Sequence, residues 1–69
     1  MPLTFANIGE QNTIKKVGGG RDIKIHLENL GFAVGADVTV ISKILGNVIV
    51  NVKETRVAIS EEMAKKILI

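Results

Sequence analysis

The sequence predicts a small all-β domain with short helices, its strands closing into a barrel. Three observations predict it. The chain has 69 residues, enough for one core and no second, so residues 1–69 form a single domain. Apolar residues alternate with polar ones along Asp37–Lys53 and again along Thr55–Ile59, the period of half-buried strands. Glycines stand at the breaks between these runs, at Gly18-Gly19-Gly20, Gly31, Gly35 and Gly46. A sheet of about five short strands hides its edges best by closing on itself.

The elements follow in order. Thr13–Val17 is a first strand, entered through Gly9-Glu10-Gln11-Asn12 and ended by the triple glycine. Arg21–Leu30 carries two patterns: Ile23, Ile25 and Leu27 alternate, while Ile23, Leu27 and Leu30 follow helical spacing. A stop at Gly31 and a cap at Asp22 favour the helix, which leaves Ile25 off the buried stripe. After a turn at Gly35-Ala36, Asp37–Ile44 and Val48–Lys53 are strands. Gly46-Asn47 between them suits a type II′ hairpin. Val48, Val50 and Val52 share the inward face. A tight turn at Lys53-Glu54 leads into Thr55–Ile59. Ser60 caps a short helix whose first turn holds Glu61 and Glu62 and whose last holds Lys65 and Lys66, charges that complement its dipole. Ile67-Leu68-Ile69 closes as a strand. With a helix after the first strand and a short helix near the C-terminus, the expected architecture is an SH3-like barrel.

Composition narrows the chemistry. There is no cysteine, so no disulfide and no thiolate ligand. The one histidine, His26, has Glu28 two residues away on a helix, where side chains point apart. A transition metal needs several convergent ligands, so neither a metal site nor a cofactor is expected. The glycine run lacks the Lys-Ser or Lys-Thr of a P-loop and the βαβ unit of a dinucleotide site. Candidate nucleophiles are hydroxyls alone (Thr4, Thr13, Thr39, Ser42, Thr55, Ser60), none near a histidine base. Glu61 and Glu62 are adjacent and point in different directions. No enzyme is expected.

The aromatics are Phe5 and Phe32, both assigned to an otherwise aliphatic core; without Tyr or Trp there is little to stack on bases, so nucleic acid is not an expected partner. Net charge is +2, too mild to call for it either. No apolar run approaches the roughly 20 residues of a membrane span, and no signal peptide is apparent. The expectation is a cytoplasmic protein without membrane insertion, a monomer or weak homo-oligomer. Lys15, Lys16, Arg21 and Lys24 lie within ten positions against Asp22 alone, the one candidate patch for an acidic protein partner.

One ordered set of residues is more specific. Leu27, Leu30, Gly31, Phe32, Gly35, Val38 and Val40 spell L-x-x-L-G-F-x-x-G-x-x-V-x-V: a helix end, a glycine stop, a second glycine and a strand. Leu3, Phe5 and Gly9-Glu10 precede it. Ala58-Ile59, Glu61–Ile67 and Leu68-Ile69 follow it. This order resembles the ferrous-iron transport protein A (FeoA) family over essentially the whole chain. The resemblance implies an SH3-like barrel. It also implies a small cytoplasmic accessory of ferrous-iron uptake, acting by protein contact on the membrane transporter, ferrous-iron transport protein B, at its cytosolic GTP-binding part. A GTPase-activating role has been suggested for the family, but neither Arg21 nor Arg56 stands out as a finger. The alternative is a regulatory domain. Similar SH3-like domains sit at the C-terminal end of some iron- or manganese-dependent repressors, and this chain, lacking a helix-turn-helix, would serve there only in trans. The chain departs from the family at Ile44-Leu45-Gly46-Asn47, where members often carry a proline-glycine-aspartate-proline-like loop. It departs again at His26, where many have Arg or Lys.

The ligand census has a direct test. Calorimetry with anaerobic ferrous iron, and separately with zinc, is expected to show no saturable low-micromolar site. One stoichiometric site that disappears in His26→Ala would contradict it.

Overall fold

Two-residue turns decide how the strands register. The computed structural model describes residues 1–69. A 3-10 turn at Leu3–Phe5 precedes β1 (Gln11–Thr13), β2 (Lys16–Val17), α1 (Arg21–Asn29), β3 (Asp37–Ile44), β4 (Asn47–Val52), β5 (Thr55–Ser60), α2 (Glu61–Ala64) and β6 (Ile67–Leu68). The strands β1-β3-β4-β5 form one antiparallel sheet in that order, and β2 pairs with β6 in a second. The hydrogen-bonded ladder does not close into a full ring.

The single strand expected at Thr13–Val17 is therefore two. Ile14 N–H donates to the Ala36 carbonyl at 2.9 Å, while Lys15 N–H donates to the Leu68 carbonyl at 2.7 Å. The extended run changes partner between these neighbours and passes from one sheet to the other. This corner joins the sheets where ring closure was expected. One core of 15 buried apolar residues draws on both sheets and α1, among them Leu3, Ile14, Val17, Leu27, Phe32, Val50 and Ile67. Phe5 is not among them. It is 69% exposed, because Leu3 takes the inward place in the 3-10 turn.

The β3–β4 turn also differs from expectation. Its central residues are Leu45 and Gly46, with φ of 46° and 81°, and Ile44 pairs with Asn47. That is a type I′ turn one residue earlier than the expected Gly46-Asn47. The register pairs Lys43 with Val48 and lets the Lys43 ammonium donate to the carbonyls of Thr4 at 2.8 Å and Ala6 at 3.3 Å. A bulge at Ile41 separates the Val40–Val50 and Ser42–Ile49 pairs, and Val38 and Val40 before it are buried on the core face. Lys53 and Glu54 form the expected second turn, both at positive φ. Val48, Val50 and Val52 are buried as their alternation predicts.

The helices are capped by different means. Gly20 stands at the N-cap of α1 with no side-chain bond, and Asp22 lies in the first turn, not at the expected cap. The glycine run is needed for shape. Gly19 has φ +92°, and a Cβ there would lie 3.0 Å from Lys66 Cδ and 3.3 Å from Ile23 Cγ2. At the other end, Gly31 N–H donates to the Glu28 carbonyl at 3.0 Å and Phe32 N–H to the Leu27 carbonyl at 2.9 Å. This is a Schellman stop, with Phe32 and Leu27 both fully buried. Gly35 N–H, from the same motif, donates to the Ile14 carbonyl at 2.8 Å and so ties the motif to the corner. Ser60 Oγ accepts from Met63 N–H at 3.2 Å, the expected cap of α2. That helix is one turn long, so Lys65 is its C-cap and Lys66 lies beyond it, not in a basic last turn. The chain ends meet: Ile69 N–H donates to the Met1 carbonyl at 2.8 Å, and Pro2 bridges to Leu68.

Gly31 carries the first structural test. Its φ is +107°, yet an added Cβ would only touch Val52 Cγ1 at 3.5 Å, so the cost of a side chain is conformational and not steric. Gly31→Val is expected to destabilise the fold by on the order of 1–3 kcal/mol. A thermal melt that overlays wild type would show that the helix stop is not required.

Candidate interaction surface

Leucine is a poor choice for the first central position of a type I′ turn. Positive φ crowds its Cβ against the following carbonyl, at roughly 1–2 kcal/mol for an ordinary L-residue, which is why Asn, Asp and Gly dominate such turns. Leu45 adopts φ 46° nonetheless, and its side chain is 97% exposed, so it gains no burial in return. Lys53 and Glu54 are also exposed at positive φ, but Leu45 alone of the three is apolar, which makes it the candidate for contact with a partner. Ile44 beside it is 53% exposed.

The tip is held firmly. Glu61 N–H donates to the Gly46 carbonyl at 2.9 Å and fixes the start of α2 against the turn. On the same hairpin, Lys43 holds the N-terminal segment through Thr4 and Ala6, and Gly9 N–H donates to the Val40 carbonyl at 2.8 Å. That segment presents Phe5 and Ile8, the latter 62% exposed. Between tip, N-terminal segment and α2 lies an open cavity of about 160 Å³, lined by Thr4, Lys43, Leu45, Gly46, Val48 and Glu61, among others. Its lining combines two apolar side chains, Leu45 and Val48, with the charged Lys43 and Glu61.

The basic residues singled out by the sequence are all exposed. Arg21 and Lys24 lie three apart on α1 and share a helix face. Lys15 and Lys16 are neighbours in an extended segment, so their side chains point to opposite sides. Lys66 was missed. Its carbonyl accepts from Gly18 N–H at 2.6 Å and its stem passes Gly19 and Ile23, beside the start of α1. The β2–β6 pairing brings it there, and nothing near Lys66 in sequence announces it. The motif residues Leu27, Gly31, Phe32 and Val38 are buried and Leu30 half-buried, so they build the fold and not a surface.

His26 is exposed on α1, and no three His, Cys, Asp or Glu side chains converge to hold a metal ion. A second cleft, between Gln11, Asp37, Thr39, Asn51, Lys53 and Glu54, is lined by polar side chains alone; Thr13 Oγ1 donates to Asp37 Oδ1 beside it at 3.1 Å. No helix is long and apolar enough to cross a membrane.

Comparison with known proteins agrees with this architecture. The FeoA domain family model matches residues 1–69. A protein of Methanocaldococcus jannaschii assigned as Fe(2+) transport protein A is 34% identical over 68 residues, covering 99% of this chain and 83% of that one. The crystal structure of an iron uptake regulatory protein, FeoA, superposes with a TM-score of 0.88 at 26% identity, over 97% of this chain and 91% of the other. The zinc complex of Stenotrophomonas maltophilia FeoA, described as a procaryotic SH3 domain protein, superposes at 0.84 with 24% identity, over 99% and 87% of the two chains. A manganese-dependent transcriptional repressor carries the same fold in 39% of its length, with a TM-score of 0.88 at 14% identity over 97% of this chain. The last two likenesses speak for the fold alone, and they bear out the SH3-like arrangement. From its helix stop to its paired termini, and over all 69 residues, the chain belongs to the FeoA family.

Proposed function

We propose that this chain is an accessory protein of ferrous-iron uptake that works in the cytoplasm by docking on the cytosolic region of the membrane ferrous-iron transporter, ferrous-iron transport protein B. The whole-chain family match carries the role. The contact is argued from Leu45. A fully exposed leucine on a rigid tip offers an apolar anchor, and burying it is worth about 1.5–3 kcal/mol. Because backbone bonds already hold the tip, little ordering cost is added on binding. Arg21 and Lys24 on α1, with Lys16 on β2 and Lys15 just before it, act as rim charges that speed encounter with an acidic surface.

The two contributions separate by mutation. Leu45→Asn is expected to raise stability by roughly 0.5–1 kcal/mol, since Asn tolerates positive φ, and to weaken transporter binding about tenfold or more. Unchanged binding, measured by surface plasmon resonance, would remove the anchor from the scheme.

The paired Lys15→Glu/Lys16→Glu variant is expected to slow association more than it speeds dissociation, with an effect that fades as salt is raised. Its melt should stay within about 0.5 kcal/mol of wild type. Normal association by this variant would discard the charges and leave the accessory role standing. Failure of wild type to co-purify with the transporter, together with normal iron uptake in a deletion strain, would discard the role.

A further inference from the structure

The outer edge of β5 is unprotected. In the order β1-β3-β4-β5 this six-residue strand pairs on one side only. The two-residue turn at Lys53–Glu54 makes Val52 and Thr55 a hydrogen-bonded pair, so Thr55, Val57 and Ile59 bond to β4. Arg56, Ala58 and Ser60 then aim their N–H groups away from the sheet, and none of those three finds another backbone partner. Natural edges are blunted by charged side chains, proline, a bulge, short length or a covering element, and of these β5 has only the single charge of Arg56. The β5 register runs unbroken through six pairs, and its sequence TRVAIS has neither proline nor lysine. The side chains of Arg56, Ala58 and Ser60 are exposed. The opposite edge, β1, is three residues long.

We propose that β5 pairs antiparallel with β5 of a second copy of this chain, about a two-fold axis at Ala58. The register follows from which groups are free. Ser60 is the N-cap of α2, so its carbonyl already serves the helix, while its N–H remains available. Pairing Ala58 with Ala58 of the second copy lets each Ala58 N–H donate to the other's carbonyl. Each Ser60 N–H then donates to the carbonyl of the other's Arg56. Four backbone bonds form without asking anything of the capped carbonyl. The small Ala58 side chains meet at the axis without hindrance. The charges do not oppose this register: each Arg56, which pairs with neutral Asn51 within its own sheet, comes opposite Ser60 of the second copy, two residues before that copy's exposed Glu62. The two Arg56 residues stay apart at opposite ends of the pairing. The result is a continuous sheet of eight strands. So short a seam falls below the roughly 1,000 Å² of a stable interface, so the dimer is weak, with a Kd on the order of 0.1–1 mM.

Sedimentation velocity from micromolar to millimolar concentration, with per-residue amide exchange, tests this. Wild type is expected to shift reversibly from monomer to dimer, and the Ala58 and Ser60 amides to exchange more slowly as concentration rises. Ala58→Pro removes an N–H that bonds nothing within the monomer, a place where an edge strand accepts proline. It is expected to melt like wild type and to lose dimerisation by about tenfold or more. Arg56→Glu, which leaves the backbone alone, brings a like charge toward the exposed Glu62 of the second copy and is expected to weaken the dimer. It decides the matter even if the proline variant folds poorly. A wild-type chain that stays monomeric at millimolar concentration overturns the proposal. So does a dimer that Arg56→Glu leaves intact, or one whose Ala58 and Ser60 amides are unprotected. These outcomes do not touch the accessory role, which is read from transporter binding.

Discussion

The turn that ends α1 holds the fold together. Two backbone bonds, from Gly31 to Glu28 and from Phe32 to Leu27, satisfy carbonyls of the last turn of the helix and reverse the chain. They also deliver Phe32 and Leu27 into the centre of the core, where neither has measurable exposure. The same reversal sends Gly35 and Ala36 to meet Ile14, where they accept or donate the bonds that keep β1 against β3. In a chain this short, with one buried aromatic and no covalent cross-link, few alternative packings could replace that arrangement.

Most of this was legible in the sequence where a local rule and the burial pattern agreed. The Leu27-x-x-Leu30-Gly31-Phe32 order announces a helix stop because only glycine takes such a φ without strain, and Ser60 announces a cap because its hydroxyl replaces a missing backbone acceptor. The valines at 48, 50 and 52 could only be one buried face. What escaped were features set by partners far along the chain. Nothing local says that the strand at Thr13–Val17 changes partner at Lys15, since Leu68, which receives that bond, is over fifty residues away. Turn chemistry misled at Gly46-Asn47: the turn falls one residue earlier and puts a leucine where glycine or asparagine is usual, in a register that also brings Lys43 to the Thr4 carbonyl.

The candidate surface was less legible than the fold, for the same reason. Charge density along the sequence pointed to Lys15, Lys16, Arg21 and Lys24, but an extended chain splits the first two between faces while a helix unites the last two. Lys66 joins the neighbourhood of α1 only through β6. Leu45 falls in the sequence between the strand that ends at Ile44 and the expected turn at Gly46-Asn47, with nothing to mark it. Only its backbone angle and full exposure together make it anomalous. Surface chemistry is a property of assembled elements, and its signal is spread across distant positions.

The meeting of the chain ends has a consequence for how such a unit can be used. Met1 and Ile69 are joined through their own backbone groups, the Met1 ammonium donating to the Ile69 carbonyl at 3.1 Å, so entry and exit occupy one spot. A module with that layout can be spliced into another polypeptide as a cassette, between two adjacent points of a host loop, without stretching either junction. It can equally be circularised by a brief linker and reopened elsewhere.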